Sequence, residues 1–152
     1  MVVAALGLVG CSSAAQVPVP SPPDAAVAAC TALARALPQE VADQPRRRTM
    51  PQSPFTAAWG DPAISLRCGV AVPAGYRGTA VCISIDGVDW LPGADSVSGP
   101  YTAVGRAAFV AVDVPPTGYE SAQAVVALTD LSPAVRAAVP VSAAPGCAPA
   151  PS

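Results

Sequence analysis

The stretch that decides the fold is AAWGDPAISLRCGV, at residues 57–70. The Gly-Asp-Pro at 60–62 is a turn signal, because Asp bonds readily to its own backbone and Pro presets φ. A strand pattern follows the turn, in which Cys68 and the apolar residues alternate with Arg67 and small or polar residues. Successive side chains point to opposite faces of a strand, so we predict Cys68 on the buried face and Arg67 on the outer face.

A hairpin is the next element that the sequence predicts, over residues 81–91. Asp86-Gly87 is the preferred pair for a two-residue type I′ turn. Such a turn places Ile83 opposite Trp90, on the same face of the sheet. We therefore expect Trp90 to be a core residue, and Cys82 to lie on the opposite face from Ile83.

Two strands, two helices and one ambiguous segment complete the prediction. Strands are expected at residues 101–104 and 109–114, and helices at residues 24–37 and 132–139. The first helix carries Cys30 on its apolar stripe, with Val27, Leu33 and Leu37, and the Ser-Pro at 132–133 is a typical helix start. Residues 122–131 fit either a strand or a helix, and we favour a strand at 125–128. The predicted fold is α+β: a small antiparallel sheet of about four or five strands, stapled by disulfides, with an N-terminal helix and a short C-terminal helix.

The N-terminus resembles an export signal. Residues 1–10 are apolar and end in Leu-Val-Gly before Cys11, which matches the lipobox of bacterial lipoproteins. In such proteins the signal peptide is removed and the cysteine is acylated, so we predict lipidation at Cys11. The apolar run is too short to span a bilayer and lacks a positive start, so we expect the true translation start to lie upstream of Met1. A buried N-terminal strand is the alternative.

The domain organisation follows from this export signal and from composition. Residues 11–23 are predicted to be the lipidated cysteine and a Pro-rich stalk that holds the domain off the membrane. Residues 24–147 form one exported domain, and residues 148–152 a disordered tail. Between the first helix and the organising strand, residues 39–56 are polar and Pro-rich and contain Arg46-Arg47-Arg48. A solvated loop is the favoured interpretation of that triplet, and contact with anionic lipid headgroups is the alternative.

Five cysteines leave four for disulfides once Cys11 carries lipid. Four cysteines allow three pairings, and the absence of a Cys-x-x-Cys spacing disfavours a zinc site. Strand parity selects among the pairings. Cys68 faces the helix that carries Cys30, whereas Cys82 lies on the outer face, where the tail with Cys147 is free to reach it. We predict Cys30–Cys68 and Cys82–Cys147.

Composition excludes several chemistries. The chain has no histidine and no lysine, which rules out Ser-His-Asp, Cys-His, Ser-Lys and Schiff-base mechanisms. A net charge of −2 argues against a nucleic-acid partner. Carboxylates at Asp61, Asp86 and Asp89 could in principle support sugar hydrolysis or hold Ca²⁺, but each has a plain explanation in a turn. We expect no catalytic residue, no metal and no cofactor.

A possible binding surface is the outer face of the sheet. Alternation predicts there Ser65, Arg67, Ser84, Asp89, Phe109 and Asp113. An arginine beside an aromatic residue is typical of recognition surfaces. The simpler alternative is a surface ion pair between Arg67 and an aspartate, worth about 0–1 kcal/mol.

Several short motifs resemble an actinobacterial lipoprotein family known as domain of unknown function 3515. The motifs are Cys30 to Leu33, Ala58 to Pro62, Leu66 to Gly69, Val88 to Trp90, Gly105-Arg106 and Asp130 to Ser132. The likeness extends from Cys30 to about Pro140. It implies an exported protein anchored on the outer side of the membrane of a Gram-positive actinobacterium, and it implies no activity.

Three functions remain open from the sequence. The favoured one is a non-catalytic binding or accessory module that engages another envelope protein or a cell-wall component. The second is a carboxylate-dependent hydrolase of envelope glycans, and the third is a structural domain without a ligand. A cleft with two carboxylates would favour the hydrolase, and an exposed patch around Arg67 and Phe109 would favour the binding module.

Overall fold

A computed structural model of the protein describes residues 13–93, 100–143 and 146–148. The fold is α+β, as predicted, but its sheet has eight antiparallel strands rather than four or five. The chain order is β1 (Ala15–Gln16), α1 (Asp24–Ala36), β2 (Glu40–Val41), β3 (Gln44–Arg47), β4 (Thr49–Met50), β5 (Thr56–Trp59), β6 (Ile64–Cys68), β7 (Ile83–Ile85), β8 (Val88–Pro92), β9 (Tyr101–Val104), β10 (Val110–Asp113) and α2 (Ser121–Ala138). The large sheet runs β2-β3-β5-β6-β10-β9-β8-β7, and β1 pairs with β4 in a small parallel sheet.

Two of the three additional strands of the large sheet come from the region that was predicted to be a loop. Strands β2 and β3 lie within residues 39–56, and β5 precedes the Gly-Asp-Pro turn, opposite β6. None of them alternates apolar and polar residues in the way that β6 does. They form because the neighbouring strand supplies their hydrogen-bond partners, which is a property of the tertiary structure.

The hairpin is confirmed in its register. Ile83 lies opposite Trp90 and Ile85 opposite Val88. Asp86 and Gly87 have φ of 49° and 76°, the left-handed pair that a type I′ turn requires. Trp90 is fully buried, as expected for a core residue.

Helix α1 covers the predicted range, but its buried face differs slightly. It buries Ala26, Ala29, Cys30 and Leu33, whereas Val27 remains 36 % exposed. The N-cap residue is Pro23, and no side chain caps the helix.

Helix α2 corrects two predictions. Residues 121–138 form one helix, so the strand at 125–128 and the helix start at Ser132 are both wrong. Ala124, Leu128, Leu131 and Val135 are buried at helical spacing, and the face they form packs against the sheet. Pro133 lies inside the helix on its exposed side, where the loss of one backbone hydrogen bond is tolerated because the buried face holds the helix.

Both disulfides pair as predicted. Cys30 of α1 is bonded to Cys68 of β6, and Cys82 is bonded to Cys147. The second bridge brings the C-terminal segment alongside the start of the hairpin, where Ala148 forms a parallel bridge with Val81. Ala148, which was expected to begin a disordered tail, is therefore paired.

The segment predicted to be a stalk packs against the domain. Ala15 and Val17 are 6 % and 2 % exposed and form a small cluster with Ala58 on the outer face of the sheet. Their backbone N–H groups donate to the carbonyls of Arg48 and Met50 at 2.9 and 3.1 Å. Cys11, the predicted signal peptide at 1–10 and residues 149–152 of the predicted tail lie outside the described residues, so those predictions stay predictions.

Candidate binding groove

Arg67 and Asp113 meet on the outer face of the sheet, as strand parity predicts. In the antiparallel ladder between β6 and β10, Arg67 lies opposite Ala111 and Asp113 lies opposite Ser65. The Arg67 guanidinium donates to the Asp113 carboxylate at 2.9 Å, and the two side chains are 28 % and 37 % exposed. An ion pair with this exposure contributes about 0–1 kcal/mol to stability, so it is not what holds the fold together.

Phe109 lies beside Arg67 at the same end of the sheet. Its carbonyl accepts a 2.8 Å hydrogen bond from the N–H of Gly69, which continues the pairing of β6 with β10 by one residue. Its half-buried ring meets the ring of Tyr76 edge to face, with 5.4 Å between centroids. This geometry suits the aromatic quadrupole and holds the Phe109 ring in one orientation.

The N-terminal segment closes this region from a third side. Gly69 has φ of 84°, and a Cβ at that position would lie 2.3 Å from the Cβ of Pro22. Only glycine fits there, because the backbone of β6 passes directly under the segment that precedes α1. The segment around Pro22 and the segment around Gly69 therefore lie in contact and form one continuous surface.

Together these parts enclose an open groove of about 620 Å³. Its lining is Pro20, Ser21, Pro23, Arg67, Gly69, Val70, Ala71, Val72 and Phe109. Arg67 is the one charged residue of that lining, and its walls are mostly apolar. Val72 is 66 % exposed at the rim.

The backbone of Val70, Ala71 and Val72 makes no hydrogen bond to any part of the chain that the structure describes. Arg67 likewise uses one of its two terminal nitrogens for Asp113 and keeps further N–H donors free. The groove therefore offers an apolar wall, a free backbone edge and a guanidinium.

Asp89 and Ser84, the other members of the predicted surface, lie elsewhere on the same face. Ser84 donates to the carboxylate of Asp89 at 2.5 Å, across the β7–β8 pair. Strand β8 is three strands away from β6, which separates Asp89 from Arg67 by about 14 Å at the usual strand spacing. The predicted surface is thus two regions, and the groove contains one of them.

The carboxylates are dispersed. Asp61 faces Arg47 at 3.6 Å, Asp86 pairs with Arg136 at 3.0 Å, and Asp130 accepts a 2.8 Å hydrogen bond from the N–H of Ala42. Among the described residues no group of three potential metal ligands comes together. Each of these aspartates has a structural partner.

The arginine triplet is not a solvated loop. Arg46 stacks its guanidinium on Trp59, 5.1 Å from the ring centroid, and burial lowers the pKa of Arg46. Arg47 donates to the carbonyls of Gly60, at 2.7 Å, and Ser13. Only Arg48 of the three is exposed.

Sequence reasoning found Arg67 and Phe109 of the groove, and Asp113 as the partner of Arg67, but missed the rest of the lining. The proline wall at residues 20–23 was assigned to a stalk, and Gly69 was interpreted only as part of a strand. The one available signal was the glycine after Cys68, since an isolated glycine in a strand indicates close approach of another backbone.

Comparison with known proteins identifies the family of the chain but no individual relative. The model of the family described as "Protein of unknown function (DUF3515)" matches residues 1–144. No curated protein and no solved structure matches the chain significantly. Neither helix of the described ranges is long and apolar enough to cross a membrane.

Proposed function

Because the chain belongs to the DUF3515 family of proteins of unknown function, we propose its role from its own geometry: a lipid-anchored, extracytoplasmic module that binds another envelope component in the groove beside Arg67. The two disulfides suggest an extracytoplasmic location, because such bonds persist in oxidising compartments. The Leu-Val-Gly-Cys motif at residues 8–11 supports lipidation at Cys11.

The groove is the observation that carries the binding proposal. An apolar wall with a single guanidinium fits an apolar ligand that carries one carbonyl or carboxylate oxygen. The unpaired backbone at Val70 to Val72 fits an extended segment, which would hydrogen-bond to it in the manner of an added strand. The occupant that fits these features is an extended apolar segment of another envelope protein.

The distribution of carboxylates favours binding over hydrolysis. A carboxylate-dependent glycosidase needs two carboxyl groups that flank one scissile bond. The groove lining contains no carboxylate, and the three candidates Asp61, Asp86 and Asp89 each have a partner of their own, in Arg47, Arg136 and Ser84.

Photocrosslinking in cells tests the binding proposal. A photoreactive residue at Val72, on the groove rim, should give a discrete adduct with one protein. The matched control is Val125, which is also exposed but lies on α2, against the opposite face of the sheet. The adduct should be lost when Phe109→Ala is combined with the probe at Val72. Equal adducts from both positions, or an adduct with glycan alone, would contradict the proposal.

Lipidation has its own test. The Cys11→Ala variant should stay unprocessed or leave the membrane, as followed by partitioning into detergent. A processed Cys11→Ala chain that still partitions like the wild type would exclude lipidation at that residue.

A further inference from the structure

The N-terminal strap, which we define as residues 13–23, is attached to the domain along its length. Its first residue, Ser13, accepts a hydrogen bond from Arg47, whose other terminal nitrogen donates to Gly60. Ala15 and Gln16 then pair with β4, and the side chains of Ala15 and Val17 are buried against Ala58. At its far end, Pro22 packs on Gly69.

This attachment shortens the tether between the domain and the lipidated cysteine. If residues 11–23 were a free extended stalk, they would reach about 37 Å, at 3.1 Å per residue. Since the strap is bound from Ser13 onwards, only Ser12 separates the attached chain from Cys11. Two residue steps span about 7 Å at most.

We propose that the partner of the surface around Ser13 is the bilayer itself, so that the domain rests directly on the lipid headgroups instead of standing off on a stalk. This inference rests on the lipidation in the proposed function. The surface consists of the turn at Gly60 to Pro62 together with Arg47 and Arg48. Asp61 and Pro62 are exposed there, and so is Arg48.

Tether length, rather than charge, holds this surface at the membrane. Arg47 is only 13 % exposed and already faces Asp61, so the pair is close to neutral. Arg48 has no ion-pair or hydrogen-bonding partner for its side chain among the described residues, and a headgroup phosphate would satisfy it. A single arginine adds little attraction at a membrane surface.

The strap also determines where the groove lies relative to the membrane. Pro20, Ser21 and Pro23 belong to the strap and line the groove. Because the same segment is tethered to the membrane at one end and forms the groove wall at the other, the short tether limits how far the groove can lie from the bilayer.

Neutron reflectometry on the full lipidated protein, bound to a supported bilayer, measures this arrangement. The water layer between headgroups and domain should be thinner than about 10 Å, given the two-residue tether. Val17→Asp should detach the strap and widen that layer by about 10 Å or more. Val19→Asp is the matched control, since Val19 belongs to the same strap but is 41 % exposed. It should leave the layer unchanged.

Hydrogen exchange on the same bilayer-bound protein gives a second readout. The amides of Ala15 and Val17 should be protected in the wild type and in Val19→Asp, and unprotected in Val17→Asp. A retained wild-type protein with a wide water layer, or with freely exchanging amides at Ala15 and Val17, would overturn the inference while leaving lipidation intact. A protein that is not retained on the bilayer would overturn the lipid anchor and this inference together.

Discussion

The indole N–H of Trp90 donates a 3.0 Å hydrogen bond to the hydroxyl oxygen of Ser132, and both side chains are completely buried. The hydroxyl of Ser132 in turn donates to the carbonyl of Leu128 at 2.7 Å. This short chain of bonds joins the hairpin strand β8 to helix α2 through the core. It also satisfies the one polar atom that Trp90 brings inside, so the tryptophan can be buried without penalty.

Replacement of Ser132 should therefore destabilise the protein. Ser132→Ala leaves the buried indole N–H of Trp90 without an acceptor, which costs about 1–3 kcal/mol. Thermal or urea unfolding measures the loss. Thr129→Ala is the matched control, because Thr129 makes the same kind of bond to a carbonyl one turn earlier but is exposed. Equal losses in the two variants would show that the bond to Trp90 contributes nothing specific.

Substitution of Arg106 should destabilise the fold more than substitution of most other polar residues. It is 7 % exposed and donates 2.7 Å hydrogen bonds to the carbonyls of Val139, at the end of α2, and Gly87, in the hairpin turn. Burial lowers the pKa of Arg106, and the field of Asp89 acts in the opposite direction. Arg106→Ala removes two charge-assisted hydrogen bonds and leaves two carbonyls unpaired, so we expect a loss of about 3 kcal/mol or more in the free energy of unfolding. Arg77→Ala, at an exposed arginine, should change it by less than about 0.5 kcal/mol.

The Cys30–Cys68 bridge should stabilise the fold chiefly through the unfolded chain. It links residues 38 positions apart and joins α1 to the middle of the sheet. The double variant Cys30→Ala with Cys68→Ala should lose about 2–4 kcal/mol. Denaturant unfolding gives the value, and peptide mapping without reduction should recover Cys30–Cys68 and Cys82–Cys147. A peptide linking Cys68 to Cys82 would contradict the placement of these two cysteines on opposite faces of the sheet.

Stability should fall at alkaline pH because of Tyr119. Its hydroxyl donates to the carbonyl of Pro62 at 2.8 Å. Burial raises the pKa of Tyr119 above 10.0, Asp61 raises it further, and Arg47 opposes the shift. The folded state therefore keeps its proton at a pH where the unfolded chain has begun to lose it. The stability that this proton contributes is complete below pH 10 and is lost as the pH rises through the folded pKa. Tyr119→Phe should make that decline smaller. The measurement is the melting temperature, which should fall less between pH 9 and pH 11 in the variant than in the wild type. An equal fall in both proteins would exclude Tyr119 as the source of the decline.

Arg67 should be needed for binding of the partner in the groove, and not for stability of the fold. Arg67→Ala removes a partly exposed ion pair, so the free energy of unfolding should change by about 0–1 kcal/mol. The adduct formed by a photoreactive residue at Val72 should nevertheless be lost. Asp113→Ala breaks the same ion pair but leaves the guanidinium, so it should retain the adduct. Loss of the fold in Arg67→Ala would show instead that Arg67 is structural. Equal loss of the Val72 adduct in both variants would show that binding depends on the ion pair and not on the guanidinium.

The elements whose own residues form one apolar face were predictable from the sequence. Strand β6, the hairpin β7–β8 and helix α1 each repeat apolar residues at the period of their own geometry. Strand parity then placed Arg67 and Asp113 on one face and paired the four cysteines, since a side chain cannot change faces without a shift in register. Two of the nine residues that line the groove, Arg67 and Phe109, followed from the same alternation.

Elements that depend on a partner were decided by the tertiary structure alone. Strands β2 and β3 carry few apolar side chains, and the Pro-rich N-terminal strap has no helix or strand period of its own. All three are held in place because neighbouring backbone groups and Arg47 supply hydrogen bonds to them. Helix α2 was ambiguous because its apolar residues fit both periods until the sheet offered them a surface to cover. The groove belongs to this second class, because its wall is formed by prolines more than 40 residues before Arg67, brought there by packing that no local pattern encodes.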